Sequence, residues 1–288
     1  MADRAVREVT IGLAQITGAP YDAEANRELT LGAAGELFGR GAELVVLPEL
    51  IVPGYVADRE PLLEVAEPID GPSVAAWRGL AAEHGGWIAA GFAERDGDEL
   101  FNSVAVVGPD GLDLHYRKLH PFRDEKHAFA PGDLGLPTAE LPFGRIGVCV
   151  CYDLRFVEVV RALALSGAEL VLVPTAWVPG FDRQRRDADG FAPQARGALL
   201  QANLSQVFIV CASQAGSCGE TEFLGSSLLC DPYGRPAAGP LPGTEDELAL
   251  ATVDLGAVEA AQTRDPLIRP RADRRTDVYG IVLDGRTL

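Results

Sequence analysis

The chain has 288 residues, of which 47% are hydrophobic and 23% are charged, and its formal net charge is -17. Its length and apolar content suit one large domain or two small ones with a sizeable buried core. The strong negative charge disfavours binding to nucleic acid or to an anionic membrane surface.

The first residues, MADRAVREVTIGLAQ, lack the apolar segment and small-residue cleavage site of a secretory signal. The longest apolar runs, such as ELVLVP at 169–174, are far shorter than a membrane span. Five cysteines are a sparse and odd set, which disfavours a disulfide scaffold and favours reduced thiols. We therefore expect a cytoplasmic protein with no membrane association.

Apolar runs alternate with amphipathic segments along the chain. Helices are predicted over 24–39, after a cap at Ser73, over 155–166 and over 193–205. The apolar runs predict strands at 8–15, 43–49, 86–94, 103–108, 112–118, 145–151, 169–174, 206–213, 226–231 and 248–254.

The spacing of these elements indicates the fold class. Between 86 and 118 the strands are separated only by turn sequences, which predicts a meander. A meander among helix-linked strands favours a layered α/β sandwich with mixed sheets over a purely parallel sheet. We expect a single domain over 1–288, with an exposed charged loop at 179–194 and a C-terminal arm at 262–288.

Three predicted strands end in reactive side chains, namely Glu49, Lys118 and Cys151. Cys151 is followed by a predicted helix, whose N-terminus favours a thiolate and a nearby oxyanion. Glu49 can act as the base for this thiol if burial raises its pKa. Lys118 can offer a compact cation to a developing oxyanion, for which the broad guanidinium of arginine is less suited.

The distribution of basic residues singles out the segment that carries Lys118. Lys118 and Lys126 are the only lysines among 25 basic residues, and the other 23 are arginine. We interpret Lys126 as a solvated loop residue.

Other uses of the cysteines and histidines stay open. Cys149 is predicted to lie two residues before Cys151 on the same strand face, as a packing residue. A redox pair or a zinc site is less well supported, since neither Cys-x-x-Cys spacing nor a suitable ligand cluster is present. A cysteine–histidine hydrolase is a second hypothesis, with four histidines available: His84, His115, His120 and His127.

The motifs together resemble the nitrilase, or carbon–nitrogen hydrolase, superfamily. LPELIVPGY contains Glu49, YRKLHPF contains Lys118 and CVCYDLRF contains Cys151, and these segments resemble those of the family's glutamate, lysine and cysteine. EKHAFAPGD resembles the segment of an auxiliary glutamate, here Glu125. FLGSSLLCDPYGR and DRRTDVYG resemble later segments of the same family.

The resemblance implies a four-layer αββα sandwich with two mixed sheets, a homodimer or higher homo-oligomer, and no metal or cofactor. It implies that Glu49 takes the thiol proton and that Cys151 attacks the substrate carbon, while Lys118 and the Tyr152 N–H hold the oxyanion. Glu125 would position the substrate or the lysine.

The substrate implied is a small linear amide, because CYDLRF resembles the amidase branches of the family. A nitrilase or an N-carbamoyl amide hydrolase is the alternative, and a non-catalytic binding protein is less well supported. Tyr55, Tyr152 and Trp177 are candidate substrate-binding residues, and Arg155 could meet either a substrate carboxylate or a nearby acid. The usual Glu-Asn pair on the later helix is Leu204-Ser205 here.

Overall fold

The computed structural model describes residues 6–283 and 285–288. Besides a 3-10 turn at Cys151–Arg155, its elements are, in chain order, β1 (Glu8–Gln15), α1 (Ala23–Gly39), β2 (Leu44–Val46), α2 (Arg59–Val65), α3 (Pro72–His84), β3 (Trp87–Asp96), β4 (Glu99–Gly108), β5 (Gly111–Arg117), α4 (Glu125–Ala128), β6 (Thr138–Leu141), β7 (Gly144–Val148), α5 (Val157–Leu165), β8 (Leu170–Thr175), α6 (Pro193–Ser205), β9 (Phe208–Ser213), β10 (Ser217–Cys218), β11 (Thr221–Glu222), β12 (Leu228–Cys230), β13 (Pro236–Ala238), β14 (Glu247–Asp254), α7 (Ala257–Gln262), β15 (Val282–Leu283) and β16 (Arg286–Thr287).

The first large sheet has the strand order β14-β1-β2-β3-β4-β5. Strands β1, β2 and β3 are parallel, and β3, β4 and β5 form the predicted antiparallel meander. Because two antiparallel steps restore the original direction, β5 runs in the same direction as β2. The carboxyl ends of β2 and β5 therefore lie at the same edge of the sheet, and these are the ends that precede Glu49 and Lys118.

The second large sheet has the strand order β13-β12-β9-β8-β7-β6. Its centre, β7 to β9, is parallel, and its flanking strands are antiparallel. Both sheets are thus mixed, as the combination of a meander with helix-linked strands predicts.

The main core lies between the two sheets. On β1, Ile11 and Leu13 belong to the same buried cluster as Val148 and Leu172 of the second sheet. Gly12, between them in sequence, points to the opposite face, where a Cβ atom would lie 3.0 Å from a methyl group of Leu37 on α1. This two-residue alternation is what allows each sheet to bury both faces.

Helices cover the outer face of each sheet. Leu37 of α1 and Trp77 of α3 pack with Ile88 on the first sheet. Val160 of α5 and Leu199 of α6 belong to the buried cluster of the second sheet. The order of layers is therefore helix, sheet, sheet, helix, and the predicted four-layer αββα sandwich is confirmed.

Two local predictions are wrong. Helix α3 begins at Pro72 after Gly71, and Ser73 is not its cap. Instead, the Glu67 carboxylate accepts hydrogen bonds from the Ser73 N–H at 2.7 Å and from its hydroxyl at 2.9 Å. The Glu67 carboxylate, and not a Ser73 cap, thus satisfies a free N–H group in the first turn of α3. The strand predicted over 145–151 ends at Val148, before either cysteine.

The C-terminal segment after α7 contains the short β15–β16 hairpin. Arg271 ties this segment to the second helical layer, because its guanidinium donates hydrogen bonds to the carbonyl oxygens of Ala164, Ser205 and Gln206. Across 6–283 and 285–288, no helix combines the length and apolar character needed to cross a bilayer.

Candidate active site

Glu49 is placed by a close crossing of two backbone segments. It follows β2 and passes over Gly91 of β3, where a Cβ atom would lie 2.6 Å from the Pro48 carbonyl oxygen and 2.7 Å from the Glu49 Cα. Only glycine allows this approach. From the second sheet, the Gln214 Nε2 donates to the Glu49 carbonyl oxygen at 2.8 Å. Glu49 is completely buried as a result.

Lys118 directly follows β5, and its N–H donates to the Asn102 carbonyl oxygen at 2.8 Å. Its Nζ donates to Glu49 Oε1 at 2.6 Å and to the two carboxylate oxygens of Glu125 at 2.9 and 2.7 Å. None of its side chain is exposed to solvent. The lysine predicted from sequence is therefore a buried cation between two carboxylates.

Glu125 is the first residue of the one-turn helix α4. Its carboxylate accepts a hydrogen bond from the Tyr55 hydroxyl at 2.6 Å and from the Phe122 N–H at 3.1 Å, in addition to Lys118. The Tyr55 hydroxyl thus orients Glu125. Lys126, the next residue, is exposed, as predicted, although it lies on α4 and not in a loop.

One oxygen of Glu49 is left free for chemistry. Its Oε1 also accepts a hydrogen bond from the Asn102 Nδ2 at 2.7 Å. Its buried Oε2 has no hydrogen-bond partner among the residues that the structure describes. Because a buried carboxylate oxygen without a partner is costly, it is suited to bind a proton or a substrate group.

Cys151 is not on a strand, contrary to prediction. It opens the 3-10 turn with a φ of 45°, in the left-handed region that a residue with a Cβ atom rarely adopts. Such a conformation costs about 1–3 kcal/mol and is often found at functional sites. Since β7 ends three residues earlier, the turn redirects the Cys151 side chain, which lines a cleft, whereas Cys149 is completely buried.

Asp153 holds this turn, and the sequence analysis assigned it no role. Its carboxylate accepts hydrogen bonds from the Val150 N–H at 3.0 Å, the Tyr116 hydroxyl at 2.7 Å and the His120 N–H at 3.0 Å. The ring of His120 also lies 2.7 Å from it. The only sign of this role in the sequence was an acid two residues after the candidate nucleophile. The role itself could not be predicted, because Tyr116 and His120 come from other parts of the chain.

The pKa shifts of Glu49, Lys118 and Cys151 are those expected if Glu49 acts as a general base. Burial raises the pKa of Glu49, and the Lys118 charge only partly opposes this shift. Burial also raises the pKa of the Cys151 thiol, as does the charge of Glu49. Burial alone would lower the pKa of Lys118, but the charges of Glu125 and Glu49 outweigh it and raise that pKa. At neutral pH the thiol is therefore protonated, the lysine is charged, and a base is needed.

Cys151 lines an open cleft whose other lining residues are mainly apolar and aromatic. Tyr152 and Trp177, both predicted to bind substrate, line it. Tyr55, the third candidate, lines a neighbouring cavity together with Glu125.

The remaining candidate residues take no part in the ion pairs that Lys118 forms with Glu49 and Glu125. Arg155 forms an ion pair with Asp182, with 3.6 Å between Nη1 and Oδ2, which is the second of the two predicted roles. His115 and His120 are paired with Glu94 and Asp153, respectively. Within the described part of the chain, no group of three or more metal-ligating side chains could hold a metal ion.

Comparison with known proteins agrees with this geometry. Residues 10–263 match the family described as carbon–nitrogen hydrolase. The chain is 37% identical over 242 residues to a nitrilase of Pyrococcus abyssi, covering 83% of this chain and 87% of that protein. It is 32% identical over 261 residues to an N-carbamoylputrescine amidase of Solanum lycopersicum, covering 85% of each.

Among solved structures, a variant of the amidase from Nesterenkonia sp. AN1 superposes with a TM-score of 0.77 and 26% identity. The match covers 96% of this chain and 98% of that one. The Nesterenkonia structure contains the acetamide moiety of fluoroacetamide, added covalently at the active-site cysteine of that enzyme.

Proposed function

This chain belongs to the carbon–nitrogen hydrolase family and is an enzyme that acts on carbon–nitrogen bonds other than peptide bonds, and we propose that it hydrolyses a small linear amide to a carboxylate and ammonia. The observation that supports this proposal best is the buried Lys118 ammonium, held within 2.6–2.9 Å of the Glu49 and Glu125 carboxylates next to a cleft lined by Cys151.

In the proposed acylation step, Glu49 removes the thiol proton and the Cys151 sulfur attacks the amide carbon. The carbonyl oxygen gains negative charge, which Lys118 and the Tyr152 N–H stabilise. Tyr152 is the second residue of the 3-10 turn. The N–H groups at the start of a helix lack partners within it and are therefore available to an oxyanion. The proton held by Glu49 passes to the leaving nitrogen, the C–N bond breaks, and ammonia departs from a thioester.

In the proposed deacylation step, Glu49 takes a proton from water, which attacks the thioester carbon. The carbon–sulfur bond then breaks, the carboxylate is released, and the proton returns to the Cys151 sulfur. Glu125 keeps Lys118 in place during both steps. Its own carboxylate is fixed by the Tyr55 hydroxyl and the Phe122 N–H.

An N-carbamoyl amide or a nitrile is the alternative substrate class, which the names of the Solanum and Pyrococcus relatives support. An amide is favoured because the chain resembles the amidase branches around CYDLRF. The adduct at the active-site cysteine of the Nesterenkonia amidase supports Cys151 as the nucleophile here.

Ammonia release from a panel of amides, nitriles and carbamoyl compounds tests the proposal. We expect turnover with at least one primary amide, no turnover by Cys151→Ala, and near-normal turnover by the matched variant Cys149→Ala. Iodoacetamide followed by mass spectrometry should label Cys151 before Cys149, since only Cys151 lines the cleft. An active Cys151→Ala enzyme would contradict the nucleophile assignment.

A further inference from the structure

One wall of the cleft contains a polar group that the proposed mechanism does not use. Gln194, in the first turn of α6, lines the cleft together with Cys151. Its residue exposure is only 9%, and its Oε1 is buried without a hydrogen-bond partner among the described residues. A buried acceptor left unpaired is unfavourable, and in a binding cleft it is satisfied when a ligand supplies a donor.

The side-chain nitrogen of Gln194 fixes the orientation of its amide group through a hydrogen bond. Its Nε2 lies 3.4 Å from the Val178 carbonyl oxygen, to which it donates. A flipped amide would place two oxygens against each other, so the backbone selects the observed orientation. The atom left unpaired is therefore an acceptor, and its complement must be an N–H or O–H donor.

The rest of the wall is mainly apolar and aromatic. The rings of Phe122, Tyr152 and Phe181 contact one another, with centroids 5.0–5.9 Å apart. All three rings line the cleft, as does Trp177. An acyl chain can bury apolar area against these rings, while Gln194 is a hydrogen-bonding group among apolar surfaces.

The charged loop 179–194 is anchored against this cleft. Asp182 pairs with Arg155, which also lies over the Phe181 ring with 4.5 Å to its centroid. Arg186 donates to the Ser226 hydroxyl at 2.9 Å and to the Leu224 carbonyl oxygen at 2.5 Å. The loop is thus anchored at Asp182 and at Arg186, and the contact of Arg155 with the Phe181 ring holds that ring in the wall of the cleft.

We propose that Gln194 is a specificity-determining residue, whose Oε1 accepts a hydrogen bond from a hydroxyl or N–H group on the acyl chain of the substrate. The inference rests on the proposed amidase function and narrows its substrate class to primary amides whose apolar acyl chain carries a hydrogen-bond donor. A site built to pair with a donor discriminates against an analogue that lacks it, because the analogue leaves the acceptor buried and unpaired.

Matched substrates test this proposal without any substitution. Unbranched primary amides from butanamide to heptanamide are each compared with the analogue that has a terminal hydroxyl in place of the terminal methyl group. We expect the wild-type enzyme to prefer the hydroxyl compound at one chain length or more, by roughly tenfold and mainly through KM. An apolar pocket without a paired acceptor would prefer the methyl compound throughout.

The variant Gln194→Met keeps the length of the side chain and removes the acceptor, so it should lose the hydroxyl preference, measured as the ratio of kcat/KM for the two compounds of each pair. Gln206→Met is the matched control. Gln206, at the other end of α6, also has a buried Oε1 without a partner in the described chain, but it does not line the cleft. We expect this control to keep the wild-type preference.

The affinity of the Cys151→Ala variant for the same pairs of amides, measured by calorimetry, tests the role of Gln194 independently of hydrolysis. Tighter binding of a hydroxyl compound, lost on adding Gln194→Met, supports the role of Gln194 even if no amide is hydrolysed by the wild-type enzyme. Hydrolysis and binding that favour the methyl compound at every chain length would overturn the role of Gln194 and leave the amidase proposal standing.

Discussion

At the scale of single residues, Lys118 shows why a chain rich in arginine retains a lysine. Its Nζ reaches oxygens of two carboxylates within 2.6–2.9 Å, in a space closed to solvent. A single ammonium can bridge both carboxylates with donors in a tetrahedral arrangement. A guanidinium is planar and wider, so its donors would be displaced from these positions.

We predict that Lys118→Arg is nearly as damaging as Lys118→Ala, although it keeps the charge. Misplacement by about 1 Å costs on the order of a hundredfold in rate, and losing an oxyanion donor costs roughly 100- to 1,000-fold. Steady-state kinetics should show both variants reduced mainly in kcat. The exposed Lys126 provides the control, and Lys126→Arg should match the wild type. High activity of Lys118→Arg would mean that charge alone suffices.

The raised pKa of Glu49 predicts the acid side of the pH profile. Glu49 accepts the thiol proton only when it is ionised, so activity falls as the pH drops through its pKa. Because burial raises that pKa, kcat/KM should begin to fall at a higher pH than an ordinary glutamate, with a pKa of about 4.3, would give.

Asn102→Leu should move this acid limb further upward in pH. The hydrogen bond from Asn102 stabilises the ionised carboxylate and lowers the pKa of Glu49, so its removal raises that pKa. The comparison is made by measuring kcat/KM against pH for both enzymes. Asn203→Leu, at a residue bonded to the Tyr233 carbonyl oxygen away from the site, should leave the limb in place. A downward shift in Asn102→Leu would refute this assignment.

At the scale of elements, the 3-10 turn and the end of β5 are joined through Asp153. Its carboxylate binds the backbone of the turn at Val150, the Tyr116 hydroxyl on β5 and the His120 N–H just beyond Lys118. The elements that carry the lysine and the cysteine are therefore tied to one another by a buried acid. This tie explains how the left-handed conformation of Cys151 is maintained.

We predict that Asp153→Asn lowers the free energy of unfolding by about 2 kcal/mol, because an amide N–H₂ would face donors that lose their acceptor. Urea denaturation measures this loss. Tyr116→Phe should cost about 1 kcal/mol, since it removes a single hydrogen bond. Iodoacetamide should also label Cys151 more slowly in Asp153→Asn.

The control for this prediction is Asp113→Asn, since Asp113 is an exposed residue that accepts one hydrogen bond, from Trp87. Its stability should stay within about 0.5 kcal/mol of the wild type. Equal effects at Asp113 and Asp153 would show that the buried network is not what stabilises the turn.

At the scale of the whole molecule, the outer helical layer of the second sheet exposes apolar side chains. Val157 on α5 and Leu200 and Leu204 on α6 are 57%, 60% and 46% exposed, respectively. Exposed apolar residues gathered on one layer are typical of a protein–protein contact. We propose that two copies of the chain associate through this layer, in line with the homodimer that the family resemblance implies.

Light scattering should therefore give a mass near twice the 30.5 kDa of the chain. The double variant Leu200→Glu and Leu204→Glu should give the single-chain mass, because charges buried in an apolar contact are costly. Leu112→Glu, at a residue 43% exposed on β5 of the other sheet, should remain dimeric. A wild-type mass near 30.5 kDa at micromolar concentration would contradict the dimer.

The sequence alone determined the fold class and the reactive residue types. The turns between β3, β4 and β5 are local, and the alternation on β1 and the apolar face of α1 are periodic, so each is readable within a short window. Glu49, Lys118 and Cys151 were found because each is the last residue of a predicted strand. Ser73 was misjudged because its hydroxyl and its N–H both donate to Glu67, an acid that precedes the helix.

The tertiary structure decided what these residues do for one another. The salt bridge from Lys118 to Glu49 spans 69 positions in sequence, and the hydrogen bond from Tyr55 to Glu125 spans 70. The left-handed Cys151, the Asp153 network and the Gln194 Oε1, which has no partner among the described residues, likewise depend on elements that are distant in the chain. Sequence periodicity specifies which face of an element is buried, but it does not specify strand order, register or sheet packing. Those long-range arrangements determine which side chains converge, because hydrogen bonds act only over about 3 Å.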